Sequence, residues 1–183
     1  MEELGSSHEK TESESSHCRK PHLPSGSYLS KKPSYKVYCK ADPNFFLTIR
    51  DGKVVLAPPD PSDEFQHWYK DEKFSTMVKD EEGFPSFALV NKASGKALKH
   101  SFGPTHPVLL TPYDPDDLEA SILWTESKDL GDGYRIVRML NNIRLNVEAL
   151  RGDKKSGGVS NGTKVVLAYW NKGDHQKWRI APL

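Results

Sequence analysis

The chain has 183 residues, with 26 Lys and Arg against 25 Asp and Glu for a formal charge of +1. That length fits one domain plus a tail, and the balanced charge gives no electrostatic case for nucleic acid or an anionic membrane surface. No apolar run approaches the ~20 residues that span a bilayer, and two cysteines are too few to staple a domain.

Residues 1–33 mix Ser, Glu, Lys, His and Pro with hardly a large apolar residue. Such a segment cannot bury enough surface to offset its ordering entropy, so a disordered polar tail is expected there. Its first residues are acidic and hold no apolar secretory core. Thr11, Ser13, Ser15 and Ser16 are its potential phosphate acceptors, although a plain solubilising tail explains them as well. Cys18 and Cys39 are read as free thiols of a reducing compartment, and Asn161-Gly162-Thr163 as a turn rather than a glycan acceptor.

A folded domain is expected over 34–183. It opens with the alternating strand Tyr35 to Cys39, then Phe45 to Ile49, the hairpin signal Asp51-Gly52, and Val54-Val55-Leu56. The Pro-rich stretch from Ala57 to Pro61 cannot be a central strand. Phe87 to Val90, Ala97 to Lys99 and Val108 to Leu110 form a second set of strands. Tyr134 to Met139, Arg144 to Val147 and Val165 to Leu167 form a third. Asp116 to Leu123 is the only helix candidate.

Two landmarks recur. Tryptophans stand at 68, 124 and 178, spaced 56 (68 to 124) and 54 (124 to 178) residues apart. The apolar triplets ending at Leu56, Leu110 and Leu167 are spaced 54 (56 to 110) and 57 (110 to 167). Two landmarks repeating together three times define a repeat architecture. None of the units can bury a face alone, so the expected fold is an all-β trefoil of twelve strands, four per copy. Trp68, Trp124 and Trp178 then fill equivalent places in its core.

The corner Gln176-Lys177-Trp178, repeated as Gln66-His67-Trp68, resembles the Gln-x-Trp motif of ricin-B lectin trefoils. Longer segments carry the resemblance further: LTIRDGKVVLAPPDPSDEFQHWYKDEK, FALVNKASGKALKH, ILWTESKDLGDGYRIVRMLNNIRLNV and WNKGDHQKW are similar to the Euonymus lectin domain family of plants, in its single-domain form. The similarity runs from about residue 35 to the end. It implies a lectin of cytoplasm and nucleus, often stress-responsive, whose partners are glycans such as mannose-rich or galactosylated structures.

Sugar recognition needs an aromatic face for the C–H side of a pyranose and planar polar groups for its hydroxyls. The resemblance implies an acidic or amide residue before the long loop of each repeat, an aromatic after it, and polar groups at the Gln-x-Trp corner. Repeat one offers Thr48 and Pro58-Pro59, although it keeps Gln66. Repeat two offers Lys99, with Tyr113 as its platform, and Ile122 in place of glutamine. Repeat three supplies every type: Asn146 and Glu148 before the loop, Trp170 and Asn171 after it, and Gln176 at the corner. Trp170 has core packing as its competing role. Gln176 is left with two roles, touching sugar and tying the loop by backbone hydrogen bonds. Asp153 is read as solvated surface.

The chain departs from the family pattern in having Ala168 where a tryptophan is usual, Glu148 where an aspartate is usual, and His175-Gln176 at a corner that usually reads Asn-Gln. These departures keep alive a second reading, a trefoil interaction module that has lost sugar binding. No catalysis, cofactor or metal is expected. The acidic loop runs fix no carboxylate pair across a bond, no Gly-x-Ser-x-Gly occurs, and His67, His100, His106 and His175 lack metal-ligand spacing and are read as surface or loop residues. The sequence leaves the glycan and the oligomeric state open.

Overall fold

The computed structural model describes residues 28–183. Twelve strands follow in order: β1 (Ser34–Cys39), β2 (Phe46–Arg50), β3 (Lys53–Ala57), β4 (Trp68–Asp71), β5 (Ser86–Asn91), β6 (Lys96–Lys99), β7 (Leu109–Pro112), β8 (Trp124–Glu126), β9 (Val137–Met139), β10 (Asn142–Ala149), β11 (Val165–Tyr169) and β12 (Trp178–Pro182). They form an all-β trefoil, four strands to each copy, as the repeats predict.

Six strands make the barrel, pairing antiparallel as β12–β1–β4–β5–β8–β9. The ring closes where Arg135 and Trp178 exchange two backbone hydrogen bonds of 2.8 Å. Three hairpins, β2–β3, β6–β7 and β10–β11, cap it. They lean on one another through the bridges Val55–Lys164 and Pro107–Val166. At the tip of β2–β3, Asp51 and Gly52 both take positive φ, 52° and 72°. That pair of left-handed residues is what a two-residue hairpin turn matching the strand twist requires.

The three-fold pattern is clearest at the tryptophans, which are buried to within 1%. Each indole donates its Nε1–H to a main-chain carbonyl of its own repeat: Trp68 to Leu47 at 2.9 Å, Trp124 to Leu98 at 3.1 Å, Trp178 to Val147 at 2.8 Å. A buried indole N–H left unpaired costs about 1–3 kcal/mol, so these bonds let a large apolar body fill the core without that penalty. Leu47, Leu56, Leu98, Val108, Val147 and Leu167 pack around them. A single 3-10 turn precedes each tryptophan: Glu64–Gln66, Ala120–Ile122 and Asp174–Gln176.

Three expectations need correction. The helix candidate over Asp116 to Leu123 is only the second of those 3-10 turns, and Glu119 ahead of it makes no side-chain cap. The strand expected to begin at Tyr134 begins at Val137, because Arg135 is taken by Trp178 across the barrel closure. The boundary at residue 34 falls inside packed structure. Leu29 is 1% exposed in a second apolar cluster with Tyr69, Ala88 and Ile122, and Tyr28 donates its hydroxyl to Asp71 at 3.0 Å. The disorder expected of residues 1–27, and the free thiol expected at Cys18, lie outside the described residues. Cys39 is a buried free thiol.

Candidate functional site

The tryptophan carbonyl bonds put the three repeats in register. Residues directly after the accepting carbonyls are Thr48, Lys99 and Glu148, so only the third repeat has a carboxylate at this place. Along β10, Leu145, Val147 and Ala149 face the main core, and alternation turns Asn146 and Glu148 to the other face. Opposite them on β11 stand Ala168 and Val166.

Glu148 emerges at a shallow cavity of about 520 Å³, walled by Leu150 and Arg151 on one side and by Asn171, Gly173 and His175 on the other. Its Oε1 accepts from Asn171 Nδ2 at 3.2 Å and lies 2.9 Å from His175 Nε2. Among the described residues Oε2 carries no hydrogen bond. One carboxylate oxygen therefore holds the side chain in place, and the other is left to accept from a ligand hydroxyl.

His175 is the residue that sequence reasoning missed. It is 6% exposed, not a surface residue, and sits between two glycines that leave it room. A Cβ on Gly152 would lie 2.8 Å from the His175 Cβ, and one on Gly173 would lie 2.2 Å from its Cε1. Those distances are inside van der Waals contact, so a side chain at 173 must displace the ring and one at 152 must displace the His175 Cβ. The signal was available in the corner reading His-Gln, with glycines at 152 and 173. Glu148 reaches one methylene further than aspartate, and the ring is there to meet it.

Gln176 is fully buried. Its Oε1 accepts from the Asn171 backbone N–H at 2.8 Å, and its Nε2 donates to the Tyr169 carbonyl at 2.8 Å. Both ends of the amide serve the loop between β11 and the following 3-10 turn, and Gln176 is not among the residues lining the cavity. Gln66 repeats the device, with Asp60 N–H on its Oε1 at 2.9 Å and Nε2 on the Pro58 carbonyl at 2.8 Å. Asn171 is locked from three sides, since its Oδ1 also takes the Gly173 N–H at 2.9 Å.

The other expected residues separate. Asn146 is 1% exposed, is not among the residues lining the cavity, and its Oδ1 has no partner among the described residues. Trp170 is 38% exposed, which removes the core role, yet it stands beyond the end of β11 and is not among the residues lining the cavity. Asp153 lines the cavity rather than standing in open solvent. Arg151, also on the wall, holds φ at 56°, a conformation that costs a non-glycine residue about 1 kcal/mol or more. Tyr113, the platform expected in repeat two, is 4% exposed and donates its hydroxyl to buried Asp71. Ile122 is buried in the second apolar cluster. Thr48 is likewise buried. The second repeat has a cavity of about 380 Å³ at the corresponding corner, lined by Lys99, His100, Ser101, Phe102 and Ser121 among others, and no carboxylate lines it.

Twelve strands in three copies define a β-trefoil, with a polar cavity at one Gln-x-Trp corner. Solved structures share the fold: a designed three-fold symmetric protein, ThreeFoil (TM-score 0.60, 21% identity, 82% of this chain and 99% of that one), and the Macrolepiota procera ricin B-like lectin in complex with lactose (TM-score 0.57, 16% identity, 81% and 94%). No family model matches the chain.

Curated relatives are far more similar. Ricin B-like lectin R40G3 of Oryza sativa subsp. japonica is 57% identical over 157 residues, 86% of this chain and 77% of the relative. Ricin B-like lectin EULS3 of Arabidopsis thaliana is 67% identical over 154 residues, 84% of this chain and 49% of the relative. The chain belongs to the plant ricin B-like lectins of the Euonymus lectin family. It spans about half the length of the Arabidopsis relative.

Proposed function

We propose that the chain binds glycans non-catalytically through one site in the third repeat, with Glu148 as its acceptor, in the cytoplasm and nucleus of a plant cell. The observation that carries this reading is the division of labour within the Glu148 carboxylate: Oε1 is fixed by His175 and Asn171, and Oε2 is unengaged at the cavity. A fixed acceptor beside an exposed amide suits adjacent hydroxyls of a pyranose. Trp170, exposed and adjacent in sequence to Asn171, is the aromatic assigned to the apolar face of the sugar. Galactosylated glycans are the first ligands to test, since a structural neighbour is a lectin with lactose bound, followed by mannose-rich ones. One shallow site predicts a dissociation constant around millimolar for a monosaccharide, about −4 kcal/mol.

The test is a glycan-array screen of the full chain, with Glu148→Ala and Trp170→Ala beside it. Binding by the parent that both variants lose, at unchanged melting temperature, supports the site. Binding retained by Glu148→Ala overturns it. A blank array from folded protein turns the search to protein partners.

A further inference from the structure

A second cavity, of about 670 Å³, lies on the hairpin cap and draws its walls from all three repeats. Lys53 enters from the first, Lys96 and Lys99 from the second and Lys164 from the third. Lys53 and Lys164 hold matching places in their repeats, each directly before the apolar triplet that builds the cap. Between the ammonium groups the floor is apolar: Val54, Val108, Leu109 and Val166. No carboxylate lines this cavity, and none of the four lysines forms an ion pair among the described residues.

That concentration is out of keeping with the chain. With 26 basic against 25 acidic residues, a random surface places carboxylates among its lysines, and like charges crowded together repel. Some lysines elsewhere have such partners, as Lys40 with Asp132, Lys70 with Glu126 and Lys92 with Glu64, whereas here four lysines share one cavity without any. The cavity lining itself supplies no negative charge to offset them. The volume is within the range of about 300–1,000 Å³ typical of small-molecule sites.

We propose that this cavity is a binding site for a small organic polyanion whose phosphate or sulfate groups lie among Lys53, Lys96, Lys99 and Lys164, with its less polar body over Val54 and Leu109. Leu150 lines both this cavity and the Glu148 cavity. The oxyanions can therefore come from a free phosphorylated molecule or from an anionic group on a glycan that reaches over Leu150. The site itself does not depend on the sugar reading.

The experiment is an NMR titration of the full chain with tripolyphosphate, followed by a sulfated disaccharide. Tripolyphosphate should give saturable shifts in the amides of residues 52–54, 96–99 and 164, and its binding should weaken about tenfold or more on raising salt well above physiological strength. The double reversal Lys53→Glu/Lys164→Glu should weaken binding at least tenfold. Lys79→Glu/Lys128→Glu, with the same charge change at exposed lysines outside the cavity, should stay within twofold. Unsaturable shifts spread over all lysines, or equal loss in both double variants, overturns the proposal. If the sulfated disaccharide is weakened by Glu148→Ala as well as by the cavity reversal, the source is an anionic glycan. If it is weakened by the reversal alone, the source is a free oxyanion.

Discussion

Gln176→Ala is the substitution on which sugar contact and loop tying diverge most. It strips partners from the Asn171 N–H and the Tyr169 carbonyl at once. Each buried group left unpaired costs about 1–3 kcal/mol. Since the loop lies at the surface, water recovers part of that, and a net loss of about 3 kcal/mol is expected. For a domain of this size about 2–4 °C accompanies each kcal/mol, so the melting temperature should fall by about 6–12 °C. Glycan binding should fall with it, because Asn171 loses the bond that fixes its backbone. Gln66→Ala supplies an internal control. It removes the equivalent two bonds in the first repeat, where Thr48 stands in the place of Glu148. It should therefore lose the same stability and leave glycan affinity unchanged. The assay is calorimetric melting of both variants beside titration with one glycan. A Gln176→Ala protein that melts within about 2 °C of the parent yet binds nothing would refute loop tying and make the amide a sugar contact.

Three further outcomes follow from the geometry. Gly173→Ala should abolish glycan binding by expelling the His175 ring, since the new Cβ would lie 2.2 Å from its Cε1. Loss of the His175–Glu148 contact in a solved variant checks the cause, and an unmoved ring would count against it. Ala168→Trp restores an aromatic beside Glu148 on the strand face where Ala168 pairs with Asn146. A stacking gain of about 0.5–1.5 kcal/mol should tighten glycan binding by about two- to tenfold in a titration, whereas weaker binding would place the sugar elsewhere. His100 reports on acid stability. Burial pulls its pKa from 6.5 down to about 4, outweighing the Leu123 carbonyl that favours the charged ring. The unfolded chain therefore binds the proton first, so the stability is full above pH 6.5 and is lost as pH falls towards 4, by up to about 3 kcal/mol. His100→Phe should flatten the fall in melting temperature across that window, and parallel curves for parent and variant would contradict it.

The fold was legible because its landmarks are the residues its energetics require. A tryptophan and an apolar triplet recur wherever the core needs volume, and Asp51-Gly52 announces its turn through the φ it must adopt. Residue types also pointed to the third repeat, where Glu148 and Asn171 do meet. The remainder was hidden in three dimensions. His175 belongs to no metal pattern, and its burial depends on Gly152 and Gly173, one of them more than twenty residues away. The Gln-x-Trp corner looks the same in sequence whether the amide touches sugar or backbone, and the two 2.8 Å bonds of Gln176 to the loop backbone are visible only in the structure. Tyr113 looked like a platform because a phenol in a loop is usually exposed; its hydroxyl is drawn inward by Asp71, more than forty residues earlier. Tyr28 and Leu29, a lone apolar pair in polar sequence, give no periodic signal at all.

The central claim is that one corner of the three binds sugar. An NMR titration of the full chain with lactose, and then with a mannose-rich oligosaccharide, tests it directly. Saturable shifts confined to residues 148–153 and 169–175, with the amides of Thr48, Asp60, Lys99 and Tyr113 unmoved, are predicted. Shifts centred on the first or second repeat, or no response of the folded chain to any glycan, would contradict it.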